Sequence, residues 1–178
     1  NELFGNRMLI RVDANQGYDL LQLKQFISKT KHLSLELIEQ PLPVGKEADL
    51  ATLEEVDRKL LAADESLIDA ESATILSRSP QPFGIFNIKL MKSGGIKGAR
   101  KIAAIAANAN IDLFWGCNDE SMASITAALH VAYSCSNTKY IDLDGSFDLS
   151  RDWVKDGFIL RDGYMYCSNK PGLGLSRL

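Results

Sequence analysis

The chain is 178 residues long, enough for one domain with a core of its own. A net charge of −3, with 46% hydrophobic and 24% charged residues, is an ordinary globular balance and offers no basic surface to nucleic acid or an anionic membrane. No apolar run reaches the ~18 residues of a membrane span, and two histidines with three cysteines lacking metal-type spacing exclude a zinc site of the usual kinds.

Short apolar runs alternate with segments of helical period. Met8 to Val12 reads as a strand ending at Asp13. Tyr18 to Thr30 carries a helical stripe of Leu20, Leu21, Leu23, Phe26 and Ile27. Leu35 to Ile38 is the next strand, closed by Glu39-Gln40-Pro41, where the proline stops a ladder. Residues 48–61 read as one helix, and Leu60 to Ala63 as a strand running into Asp64. A helix around 69–78 leads to a strand from Gly84 to Leu90 that carries Lys89. Gly94-Gly95 turn the chain into a helix from Ile96 to Ala107. Ile111 to Trp115 is a strand into Gly116, Glu120 to Tyr133 a helix, and Tyr140 to Leu143 a strand ending in Asp142-Leu143-Asp144.

The polar strand-end residues Asp13, Glu39, Asp64, Lys89, Gly116 and Asp142 recur every 25–27 residues. That interval is one βα unit, and such alternation builds a parallel sheet whose strand ends carry the site. Six strands are legible, against eight in a TIM-type (β/α)8 barrel. The fold class is therefore α/β, with residues 1–178 covering about strands 3–8 of such a barrel.

Three acids on successive strands ~4.8 Å apart can converge, and their mutual repulsion would be relieved by a divalent cation; all-oxygen ligands favour Mg2+. A strand-end acid taken singly reads better as a helix cap or a solvent-facing group; three at matching strand ends read as a cluster. Lys89 lies in an apolar strand context, where burial beside a cation would lower its pKa and fit it for base chemistry. Lys92 reads as a loop lysine. Asp142 and Asp144 alternate, so both face one way and suit an ammonium group; Asp144-Gly145 is also a common turn pair. Cys117, Asn118 and Asp119 follow a strand end and are candidates for lining a pocket. Asp119 and Glu120 hint at cationic ligands, with helix capping the other reading of Glu120. His130, Trp115 and Met122 read as packing residues.

Val12-Asp13-Ala14-Asn15, Ile38-Glu39-Gln40-Pro41, Ala63-Asp64-Glu65-Ser66 and Ile88-Lys89-Leu90-Met91-Lys92-Ser93-Gly94-Gly95 resemble the successive strand ends of the enolase superfamily, within its muconate-lactonizing-enzyme subgroup. Asp142-Leu143-Asp144 resembles the D-x-D of dipeptide epimerases, including the L-Ala-D/L-Glu epimerases, and Lys170 to Gly174 resembles their C-terminal end. The resemblance implies magnesium held by Asp13, Glu39 and Asp64, with Lys89 as one of two acid–base lysines. It implies Asp142 and Asp144 as the site for a dipeptide's α-ammonium and Cys117 as a substrate contact; Asp119 is a further candidate contact from its place after the strand and its charge. It further implies two-base 1,1-proton transfer at an amino-acid α-carbon through an enolate. The family's other lysine lies in a K-x-K motif on the second strand, and its N-terminal capping domain helps choose the substrate; neither is among these residues. A homo-oligomer, or a partner half carrying both, is the expected assembly. The thiols read as reduced, and Asn1 to Gly5 lack the regions of a signal peptide, so a cytoplasmic setting is expected. The alternatives are a cycloisomerase or o-succinylbenzoate-synthase-like dehydratase on the same scaffold, and a non-catalytic half-barrel for binding or assembly.

Overall fold

The computed structural model describes residues 7–178; the opening stretch Asn1 to Gly5 lies outside the described residues. Six parallel strands stand in sequence order in one sheet: β1 (Ile10–Asp13), β2 (Leu35–Glu39), β3 (Leu61–Ala63), β4 (Ile85–Ile88), β5 (Asp112–Trp115) and β6 (Thr138–Ile141). The helices between them are α1 (Leu20–Thr30), the one-turn α2 (Glu47–Leu50) and α3 (Glu55–Arg58), then α4 (Ala70–Leu76), α5 (Leu90–Ser93), α6 (Gly95–Asn108) and α7 (Met122–Tyr133). The alternation read from the sequence is this architecture. β1 pairs with β2 after a register shift between Ile10 and Arg11, and Asp13 stands beside Glu39.

Every strand sorts its side chains to two faces. Ile38, Ala63, Phe86, Ile88, Leu113, Trp115 and Leu143 join the large core under the helices, with Leu23 and Ile27 of α1 and Ile102 and Ala106 of α6. The other face holds a smaller cluster, one residue from each of β2 to β6: Leu37, Ala62, Ile85, Phe114 and Tyr140. In a flat sheet, five spacings of ~4.8 Å would set β1 and β6 roughly 24 Å apart. Yet the Arg11 guanidinium on β1 lies 5.9 Å from the Phe114 ring and 5.2 Å from the Tyr140 ring on β6. The sheet is therefore strongly curled, with the small cluster on its inside, as in a barrel lacking strands between β6 and β1.

Three expectations need correction. The helix expected over 48–61 is two single turns. The Thr52 hydroxyl donates to the Asp49 carbonyl, and Glu54 turns extended (φ −61°, ψ 149°), which sets Leu53 into the core between the turns. The strand carrying Lys89 ends one residue before it; Lys89 stays extended (φ −113°, ψ 125°) and keeps the facing of Ile85 and Asn87. The last stretch adds four further strands that the sequence reading lacked. β7 (Val154–Asp156) pairs with β10 (Leu175–Arg177), and β8 (Phe158–Arg161) forms a hairpin with β9 (Tyr164–Cys167). The signal was present: Asp162-Gly163, at φ 53° and 79°, between apolar runs.

Candidate active site

Two residues further along each strand from the inner cluster lies a polar layer on the same face. Alternation carries Arg11 to Asp13, Leu37 to Glu39, Ala62 to Asp64, Ile85 through Asn87 to Lys89, Phe114 to Gly116, and Tyr140 through Asp142 to Asp144. Side chains meet across this layer. Asn87 Nδ2 donates to Glu39 Oε1, spanning from β4 to β2. Gly116 leaves room for it: a Cβ there would lie 2.4 Å from Asn87 Oδ1. Lys89 Nζ donates to Asp64 Oδ2 at 2.8 Å. The buried Gln40 ties two strand ends together, its Oε1 accepting from Asp64 N and its Nε2 donating to Ser66 Oγ at 2.8 Å.

Glu39 and Asp64 are buried, whereas Asp13, on the edge strand, is exposed and accepts from Asn15 N at 2.9 Å. Burial pushes the Glu39 carboxyl up to about 7, against the Asn87 hydrogen bond, and the charges of Asp64 and Asp13 add to the rise. For Lys89, burial pulls downward, but the hydrogen bond and charge of Asp64, with Glu39 and Asp13 behind it, outweigh it and the net shift is upward. The unneutralised acids stabilise the ammonium; the lowering expected from sequence is that of a lysine beside a bound cation.

Lys92 is not a loop lysine. It stands on α5 with its Nζ donating to the Asp64 carbonyl at 2.7 Å and to Asp64 Oδ1. Burial lowers its pKa, and Lys89 repels it. The K-x-x-K spacing could have revealed it, because residues three apart share a helix face. Asn87 and Gln40, as neutral amides, gave no such signal.

Asp142 and Asp144 flank the buried Leu143 and share the open face. Burial and the nearby Asp144 raise the Asp142 pKa, while Arg11 and Lys89 oppose the rise. Asp142 thus lies within electrostatic reach of the lysine. The turn reading of Asp144 also holds, since its carbonyl accepts from Phe147 N at 2.7 Å. Cys117 Sγ donates to Asp144 Oδ1 at 3.7 Å and accepts from Gly145 N at 3.3 Å. Burial pushes this thiol up to about 11, so it stays protonated near neutrality. Asp119 is exposed in the loop after β5. Glu120 is buried, and its carboxylate accepts from Asn118 N and Ser124 Oγ.

As arranged, no three His, Cys, Asp or Glu side chains among the described residues stand close enough to hold one metal ion. Both oxygens of Asp64 are taken by lysine ammoniums. The donor chemistry nevertheless fits magnesium: three hard oxygen donors, with Asp64 and Asp13 both felt by Glu39 as neighbouring charges and Lys89 opposing them.

Comparison with known proteins decides the family. The family model described as Enolase C-terminal domain-like matches residues 1–177. The chain belongs to that family. Within it, the chain is 49% identical over 178 residues to an L-Lys-D/L-Arg epimerase of Desulforapulum autotrophicum, covering all of this chain and 50% of that protein. It is 50% identical over 175 residues to an L-Lys-D/L-Arg epimerase of Methylococcus capsulatus, covering 98% and 49%. A crystal structure of the dipeptide epimerase from Methylococcus capsulatus, complexed with Mg and the dipeptide L-Arg-D-Lys, superposes with a TM-score of 0.89 at 51% identity, covering 98% and 49%. This member of the Enolase C-terminal domain-like family thus spans about half the length of the curated relatives it matches.

Proposed function

We propose that this chain is the C-terminal part of the catalytic barrel of a magnesium-dependent dipeptide epimerase. The missing strands, the capping domain and the second acid–base lysine would come from residues outside it. The observation that carries the reading is the 2.8 Å contact between Lys89 and Asp64, in a group with Glu39 and Asp13 and in electrostatic reach of Asp142. About 50% identity to relatives of that activity supports the chemistry.

Asp13, Glu39 and Asp64 would hold the ion. Magnesium, when bound, supplies Lewis-acid stabilisation of the negative charge that develops on the substrate carboxylate as the α-proton leaves. Lys89 Nζ removes or returns that proton on one face of the α-carbon. For this it must leave Asp64 Oδ2 and lose its own proton, which neutralisation of the acids promotes. A lysine on the barrel's second strand, four strands from Lys89, serves the opposite face. Asp142 and Asp144 accept hydrogen bonds from the substrate ammonium and fix the α-carbon between the lysines. Cys117 lines the pocket as an uncharged thiol. Dipeptides with cationic side chains are the proposed substrates, from the naming of the relatives and the exposed Asp119; Glu120 is already engaged.

The test uses the complete enzyme in deuterium oxide, with a panel of cationic and apolar dipeptides beside a cycloisomerase substrate. Lys89→Ala is expected to abolish α-proton exchange from one epimer. Undiminished deuterium uptake from both epimers refutes the role of Lys89. Turnover of the cycloisomerase substrate alone overturns the epimerase reading.

A further inference from the structure

Lys92 is a half-buried cation, its side chain 19% exposed, to which the reading above gives no role. It follows Lys89 by three residues, and the single turn of α5 brings both amines to one carboxylate. Their contacts differ in kind. Lys89 Nζ donates to Asp64 Oδ2. Lys92 Nζ donates to Oδ1 and also to the Asp64 backbone carbonyl at 2.7 Å. A donor bound to both the main chain and the side chain of one residue restrains the torsions between them. The turn that presents Lys92 is itself held by the buried Leu90 and Ser93 and closed by Gly94 in the left-handed region (φ 77°).

We infer that Lys92 is a positioning residue that pins Asp64, so that Oδ2 alone faces the ion and Lys89 can depart without the carboxylate rotating after it. The inference rests on the reading of Asp64 as a magnesium ligand. Single-oxygen ligation suits Mg2+, which demands near-octahedral geometry and tolerates little ligand rotation. Partners that orient a ligand from behind typically change metal affinity 10–100-fold when removed.

The experiment titrates MgCl2 calorimetrically into the complete enzyme, Lys92→Met and Lys92→Gln, with Lys97→Met, exposed on α6, as control. Lys92→Met is expected to lose magnesium affinity by about tenfold or more. Its kcat for epimerisation falls at saturating magnesium while KM for the dipeptide holds, because Asp142 and Asp144 are untouched. Lys92→Gln keeps a donor for the carbonyl and loses less. A merely structural lysine would lower the melting temperature and leave the metal affinity of the folded protein alone. Unchanged or tighter magnesium binding in Lys92→Met overturns the inference; should that variant not fold, Lys92→Gln is held to the same outcomes. If the unsubstituted enzyme binds no magnesium, the metal reading falls and this inference with it. If it binds and the variants match it, only the positioning role falls.

Discussion

Glu39 is 7% exposed, has Asp13 and Asp64 for neighbours, and receives a hydrogen bond from Asn87. Its folded pKa of about 7 lies above the ordinary 4.5, so the folded state holds the proton more tightly than the unfolded chain does. The resulting stabilisation is whole below about pH 4.5 and is lost as the pH rises through about 7, a loss on the order of 3 kcal/mol. Urea titrations of the metal-free protein between pH 5 and 8 are therefore expected to give falling midpoints. Glu39→Gln should flatten the slope, and magnesium should reverse it by favouring the ionised carboxylate. A midpoint that rises over this range without metal would contradict the burial argument. The same residues mark what a sequence discloses of a site. Acids and a lysine at matching strand ends are legible because βα spacing places them in one layer. The amides of Asn87 and Gln40, and the reach of Lys92 around a helical turn, depend on packing that no spacing rule encodes.

The helices were legible where an apolar stripe met a cap. In α4, Asp69 accepts from Ser72 N at 2.8 Å while Ser72 Oγ accepts from Asp69 N at 3.0 Å, a reciprocal box that fixes the start of a helix burying Ala73 and Leu76. Asp69→Ala is expected to cost about 1 kcal/mol, seen as a melting temperature lower by about 3 °C. Magnesium affinity should not change, because α4 packs against α6 and supplies none of the acid and lysine side chains of the site. A fall in affinity would mean that the helix start governs the loop after Asp64. Single turns behave otherwise: α2, α3 and α5 are too short for a periodic stripe, so their limits followed from tertiary packing. The C-terminal hairpin was missed for a related reason. Its strands carry exposed Ile159, Leu160 and Tyr164 and so lack clean alternation between apolar and polar.

At the scale of the whole molecule, among the described residues β1 and β6 each have a strand neighbour on one side only. The curl that brings Arg11 onto Tyr140 sets the two edges toward one another, which is where the two missing barrel strands would fit. An exposed parallel edge offers unpaired amides and carbonyls to any extended chain. Ile141 on β6 is 40% exposed, and the groove beside it, about 380 Å3, is lined by Tyr133, Phe147, Leu160 and Tyr164. The chain expressed alone is therefore expected to self-associate at micromolar concentrations and above. Size exclusion with light scattering measures this. Ile141→Lys, which sets a charge on the edge, should shift the distribution toward the monomer. On the proposed function, a polypeptide that completes the barrel should abolish the self-association and give α-proton exchange together, because the same closure would cover the edge and bring in the proposed second lysine. A monodisperse monomer from the chain alone would mean that the curled sheet protects its own edges.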